Sequence, residues 1–127
     1  MMSKTLLIAD DEPHMLRTTS FILQSEGYQV LTARNGQEAL EVLRRERPPV
    51  LLLDLMMPIM DGYAVCREIR ADAALAGTYI MILTARGQRR DEEQALAAGA
   101  NAYMSKPFDD FEILSRLEKV FADRERS

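Results

Sequence analysis

The chain has 127 residues, the usual length of one compact domain, and 47% of them are hydrophobic, which allows a full core and argues against disorder. A formal net charge of -4 argues against direct nucleic-acid binding, which needs clustered surplus Lys and Arg. A single cysteine, Cys66, excludes an intramolecular disulfide and a thiolate metal cluster, and reads as a small, half-buried helix residue.

The N-terminal Met1-Met2-Ser3-Lys4 leads into an apolar run too short for a signal peptide or a transmembrane span, so a cytoplasmic protein without membrane attachment is the default expectation. That run, Thr5-Leu6-Leu7-Ile8-Ala9, reads as a first strand ending at Asp10-Asp11. Pro13 suits the first turn of a helix carrying Met15, Leu16, Thr19, Ile22 and Leu23 on one side and stopped by Gly27. A second strand, residues 28–32, alternates and ends near Asn35-Gly36. Asn35 with Glu38 three residues on predicts a capped helix through Leu43, where Arg44-Arg45 read as part of a solvated face and Pro48-Pro49 forbid continuation. Val50-Leu51-Leu52-Leu53 forms a third strand ending at Asp54, and Asp61 caps a helix bearing Val65 and Ile69. Residues 79–83 form a fourth strand ending at Thr84, followed by a helix from Arg89 to Ala98 closed by Gly99, with Arg89-Arg90 solvated. Ala102-Tyr103-Met104 forms a fifth strand ending at Ser105-Lys106-Pro107. The last helix opens at Asp109-Asp110, with Phe111, Leu114, Leu117 and Phe121 as its inner stripe.

Strict alternation of continuous apolar strands with amphipathic helices predicts an α/β fold: a doubly wound, five-stranded parallel sheet with five helices covering both faces. The domain is expected to span 1–122, with 123–127 as a charged tail or the start of a linker. In such sheets, ligands bind beyond the carboxyl ends of the strands. Those ends carry Asp10-Asp11, Asp54, Thr84 and Lys106, whereas strand two offers no charged group. The order 2-1-3-4-5, flavodoxin-like, makes strand two an edge and brings the polar ends into one row. Neighbouring strands lie about 4.8 Å apart, and two carboxylates about 5 Å apart repel by roughly 3 kcal/mol at an effective dielectric near 20. Three clustered carboxylates therefore call for a cation, and all-oxygen ligands favour Mg²⁺. Lys106 lies about two strands from Asp54, and a long side chain on an inward-folding loop is needed to reach it.

Asp10-Asp11, Asp54-Leu55-Met56-Met57-Pro58 with Asp61-Gly62, Thr84-Ala85 and Lys106-Pro107-Phe108 together resemble the receiver domains of two-component response regulators, in order and in spacing, over essentially the whole chain. The resemblance implies that Asp54 is the phosphoacceptor, taking a phosphoryl group from the phosphohistidine of a sensor histidine kinase or phosphotransfer protein. It implies Mg²⁺ bound by Asp10, Asp11, Asp54 and the main-chain carbonyl of Met56, and a catalytic set of Asp54, Thr84 and Lys106. It further implies a Thr84–Tyr103 switch pair, a cis bond between Lys106 and Pro107, and association of copies through the helix-four to helix-five face. Met56 and Arg86 stand where family members contact the phosphoryl group, and neither is acidic or an amide. On this reading the chain is a signalling phosphoacceptor and not an enzyme acting on other molecules.

Three rivals fit less well. An Asp-nucleophile Mg²⁺ phosphatase places an Asp-x-Asp pair after its first strand and carries cap insertions, but Asp10 and Asp11 are adjacent here. A dinucleotide site needs glycine in the first strand-to-helix turn, where this chain has Asp-Asp-Glu-Pro. A receiver-like interaction module that is never phosphorylated has no need of the acceptor residues. His14 reads as an exposed helix residue, and the methionines near Asp54 read as loop packing.

Overall fold

A computed structural model describes residues 4–85 and 89–125. Strands and helices alternate as β1 (Thr5–Ala9), α1 (Pro13–Ser25), β2 (Gln29–Ala33), α2 (Gly36–Glu46), β3 (Val50–Asp54), α3 (Gly62–Ala71), β4 (Tyr79–Thr84), α4 (Arg89–Ala97), β5 (Ala102–Ser105) and α5 (Asp110–Glu125). All strand pairs are parallel and the order is β2-β1-β3-β4-β5, as the strand ends implied.

Alternate strand residues face opposite layers, and the apolar runs fill both. Leu7, Leu51, Leu53, Ile80 and Ile82 face α2, α3 and α4, meeting Leu40, Leu43, Val65, Ile69 and Ala95. Leu6, Ile8, Val50, Leu52 and Met81 face α1 and α5, meeting Leu16, Leu23, Ile113, Leu117 and Phe121. Each fully buried leucine contributes about 2 kcal/mol, so β3, buried along its whole length, is the best-anchored strand in the sheet.

Local chemistry sets the helix starts. Asn35 Oδ1 accepts from the Glu38 amide at 2.8 Å, and Asp61 Oδ1 accepts from the Ala64 amide at 2.9 Å. Asp109 Oδ1 accepts from the Glu112 amide at 2.7 Å, ahead of α5.

Three readings of the sequence need correction or extension. Phe111 is 80% exposed rather than part of the inner stripe of α5. The buried positions are Ile113, Leu117, Val120 and Phe121, and Phe111 precedes Ile113 by two residues, about 200° away around the helix. Cys66 is fully buried against the core, and burial pushes its thiol up to about 11. Asp123, Arg124 and Glu125 form the last turn of α5.

Candidate functional site

The carboxyl edge of the sheet gathers the acidic residues. Asp10 follows β1 and is 2% exposed; Asp54 ends β3 and is 7% exposed; Asp11 is open to solvent. One ligand oxygen from each of the three lies within 4.8 Å of the other two. The main chain fixes the two buried carboxylates. The Glu12 amide donates to Asp10 Oδ1 at 3.0 Å, and the Met56 amide donates to Asp54 Oδ1 at 3.3 Å. Gly62 lets α3 start close beside β3, because a Cβ there would come within 2.9 Å of the Asp54 carbonyl oxygen.

Glu12 has a role that sequence reasoning missed. It is the N-cap of α1, its carboxylate accepting from the His14 amide at 3.0 Å and the Met15 amide at 2.6 Å. Those bonds hold its carboxyl below the usual range. An acidic residue directly before a proline at the first helical position was the available signal. His14 itself is exposed.

Lys106 crosses from the far side of the sheet. Its Nζ lies 2.6 Å from Asp10 Oδ2 and 3.7 Å from Asp54 Oδ2, so an ammonium attached beyond β5 reaches a carboxylate attached beyond β1, three strands away. The loop carrying it is tied back by the Lys106 amide, which donates to the Thr84 carbonyl at 2.7 Å. The Lys106–Pro107 bond is cis.

Even with this cation nearby, burial drives the Asp54 carboxyl from 3.8 up to about 6. Lys106 opposes the rise, while the charges of Asp10 and Asp11 add to it. A buried carboxylate beside two others, with one lysine shared among them, remains short of positive charge. Three hard oxygen donors within one ion's reach, on a site still deficient in cation, fit Mg²⁺.

Thr84 is fully buried at the end of β4, on the same face as Ile80 and Ile82. Tyr103 is paired with Ile82 in register and packs, half-buried, against the α2–α4 side of the core. Burial, with the Asp91 charge behind it, raises the Tyr103 hydroxyl above its ordinary value. Met56 is 58% exposed beside Asp54, and Met57 is packed inward. Arg86 lies outside the described residues.

Among the described residues no helix is long and apolar enough to cross a membrane.

The model of the response regulator receiver domain family matches residues 6–118. A probable transcriptional regulator, ycf27, of Pyropia yezoensis is 42% identical over 115 residues, covering 91% of this chain and 46% of the relative. The chain thus spans about half the length of the curated relatives it matches. The receiver domain of a signal transduction histidine kinase from Syntrophus aciditrophicus superposes with a TM-score of 0.90 at 32% identity, covering 98% of this chain and 95% of that one. The receiver domain of a sensor histidine kinase from Pseudomonas aeruginosa, solved with a magnesium ion coordinated in its active site cleft, superposes with a TM-score of 0.85 at 33% identity, covering 93% of this chain and 97% of that one. With the family model matched from the first strand into the last helix and the acidic cluster at the carboxyl edge of the same sheet, the chain belongs to the response regulator receiver domain family.

Proposed function

We propose that this chain accepts a phosphoryl group on Asp54 from a phosphohistidine of a sensor histidine kinase or phosphotransfer protein, in a Mg²⁺-dependent reaction that resets a protein-interaction surface. The observation that carries the reading is the triple carboxylate cluster with Lys106 Nζ 3.7 Å from Asp54 Oδ2. Asp10, Asp11, Asp54 and the Met56 main-chain carbonyl would hold the metal. When bound, Mg²⁺ supplies charge neutralisation at the phosphoryl oxygens and among the carboxylates.

The chain's own groups do the rest by position and charge. An Asp54 oxygen attacks phosphorus, the P–N bond to the donor imidazole breaks, and the imidazole leaves with its electron pair. Asp54 is a better nucleophile for its raised basicity, and at neutral pH it is still mainly ionised. Lys106, already beside Asp54, turns its ammonium to a phosphoryl oxygen. The product carries nearly two negative charges and three strong acceptors on the strand next to Thr84, and these attract the Thr84 hydroxyl. Movement of Thr84 toward them shifts the space open to the Tyr103 ring, and with it the surface formed by α4, β5 and α5. Domain limits of 1–122, a cytoplasmic setting and pairing of copies through the α4–α5 face belong to the same reading. The chain is then a phosphoacceptor acting on itself and not an enzyme that turns over a substrate.

Incubation with phosphoramidate and Mg²⁺ should add one acid-stable, base-labile phosphoryl group. Equal uptake by Asp54→Asn would show that the acceptor is another residue.

A further inference from the structure

Strand β2 supplies none of the three clustered carboxylates, yet the corner that follows it touches the chain on both sides of them. On one side the Ala33 carbonyl, at the end of β2, accepts from the Asp10 amide at 3.0 Å. On the other, Gly36, the first residue of α2, packs against the β3–α3 loop. A Cβ at Gly36 would overlap the Met60 carbonyl oxygen and stand 2.8 Å from both Met60 Cβ and Val65 Cγ2. An approach this close needs a residue without a side chain. The helix is held in that place by its Asn35 cap and by Ala39, Leu40 and Leu43, which are buried in the core.

The loop that rests on Gly36 has a shape it does not adopt by preference. Ile59 is 75% exposed with φ +71°, and across it the Met60 amide donates to the Pro58 carbonyl at 2.8 Å. A β-branched residue in this left-handed turn is strained, and it persists only where its surroundings impose it. Those surroundings are the Gly62 amide, which closes the loop onto the Leu55 carbonyl at 3.0 Å, the inward-packed Met57, and the contact of Met60 with α2. The same short loop carries Met56, whose amide donates to Asp54 Oδ1 at 3.3 Å.

Resting on the reading above, in which the Met56 carbonyl joins Asp10, Asp11 and Asp54 around Mg²⁺, we propose that Gly36 is a positioning residue for the metal. Its missing side chain lets α2 meet Met60, and that contact, with the Gly62–Leu55 bond, fixes where the Met56 carbonyl stands relative to the carboxylates. The corner also holds Asp10 through Ala33, so one short stretch of chain sets the spacing between ligands that follow β1 and β3. Spacing matters most for Mg²⁺, which demands near-octahedral oxygens at about 2.0–2.1 Å, whereas Ca²⁺ accepts about 2.3–2.6 Å in irregular arrangements. A displaced carbonyl therefore weakens Mg²⁺ binding more than Ca²⁺ binding, which general destabilisation does not do.

Mg²⁺ and Ca²⁺ titrations of the whole chain, followed by amide NMR, test this. In Gly36→Ala, Mg²⁺ affinity should fall about tenfold and Ca²⁺ affinity by less than about threefold. Met60→Gly keeps Gly36 but opens a gap against it, and should move the two affinities in the same unequal way. That second variant decides the matter if Gly36→Ala does not fold. Val120→Ala, a core deletion on the opposite layer, should leave the ratio of the two affinities unchanged. Equal losses for both ions, an unchanged Mg²⁺ affinity in either folded loop variant, or the same altered ratio in Val120→Ala overturns the positioning role. A wild-type chain that binds no Mg²⁺, or binds it undiminished in Asp11→Asn, overturns the metal reading itself. Mg²⁺ binding lost in Asp11→Asn but kept in Gly36→Ala and Met60→Gly overturns this inference alone.

Discussion

Replacing Asp54 by Asn should stabilise the metal-free protein. In the folded chain the carboxyl is pushed from 3.8 to about 6, chiefly by burial, so ionising it costs native stability that the unfolded chain does not lose. The rise corresponds to about 3 kcal/mol at neutral pH, net of the attraction of Lys106, and with Asp54 only 7% exposed solvent screening removes little of it. Between pH 4 and 6 the native state binds the proton that the unfolded state has released, so wild-type stability falls as pH rises through that window. Below it both states are protonated and the cost vanishes; above it the cost is complete. Asn is a neutral isostere that avoids the ionisation. Urea unfolding in EDTA at pH 7.5 should place Asp54→Asn about 1.5–3 kcal/mol above wild type, a melting-point gain of roughly 5–10 °C for a domain of this size. At pH 3.5 the two should coincide, and millimolar Mg²⁺ should narrow the gap at pH 7.5 by stabilising wild type through binding. An Asn variant no more stable than wild type at pH 7.5, or a gap that survives at pH 3.5, would refute the view that buried charge crowding dominates this site.

Mg²⁺ titration should weaken more than tenfold in Asp11→Asn, and stay within about threefold or tighten in Lys106→Ala, because Lys106 competes for the Asp10 oxygen it touches at 2.6 Å; the opposite ranking would reverse the two roles. Thr84→Ala should take up phosphoryl label at Asp54 but leave the Tyr103 ring resonances largely unmoved, and normal Tyr103 shifts on phosphorylation would break the proposed coupling. Gly36→Ala should cost about 1–3 kcal/mol in urea unfolding despite the better helix propensity of alanine, because the new methyl group would overlap the main-chain carbonyl of Met60; a neutral result would mean that the β3–α3 loop yields freely.

The sequence made the fold legible because its signals are local and mutually consistent. Continuous apolar runs marked strands covered on both faces, and Asn35, Asp61 and Asp109 announced the helix starts they cap. The acidic cluster was legible too, since Asp10, Asp11 and Asp54 stand at strand ends and topology alone brings them together. The distance Lys106 covers was only partly legible. The required inward loop could be stated, but not that its ammonium would settle on Asp10 rather than Asp54, which depends on carboxylate orientation. The role of Arg70, whose guanidinium donates to the Ala76, Thr78 and Gly99 carbonyls and to Asn101 Oδ1, left no trace in the sequence. It reads as one more solvated arginine on a helix, and three of its four partners are main-chain carbonyls, which any residue supplies. Phe111 misled for a related reason: an apolar residue in the first turn of α5 fits the stripe by hydrophobicity, and only the phase set by Ile113 and Leu117 turns it outward.

The register of the sheet also puts the proposed acceptor and the proposed switch pair on opposite faces. In β3, Asp54 shares its face with Val50 and Leu52, toward α1 and α5. In β4, Thr84 shares its face with Ile80 and Ile82, and Tyr103 stands opposite Ile82 on the same side, toward α4. The two sides meet through the main chain, where the Lys106 amide donates to the Thr84 carbonyl at 2.7 Å, so the connection after β5 is tied to the end of β4. A one-residue slip of β4 would move Thr84 to the α5 side and turn Leu83 toward Tyr103, while also reversing the apolar faces of the whole strand. The pairing of Asp54 with Leu83 is therefore fixed by packing. On the proposed function, the residues that respond are thus neighbours of those that react, although they face the opposite side of the sheet.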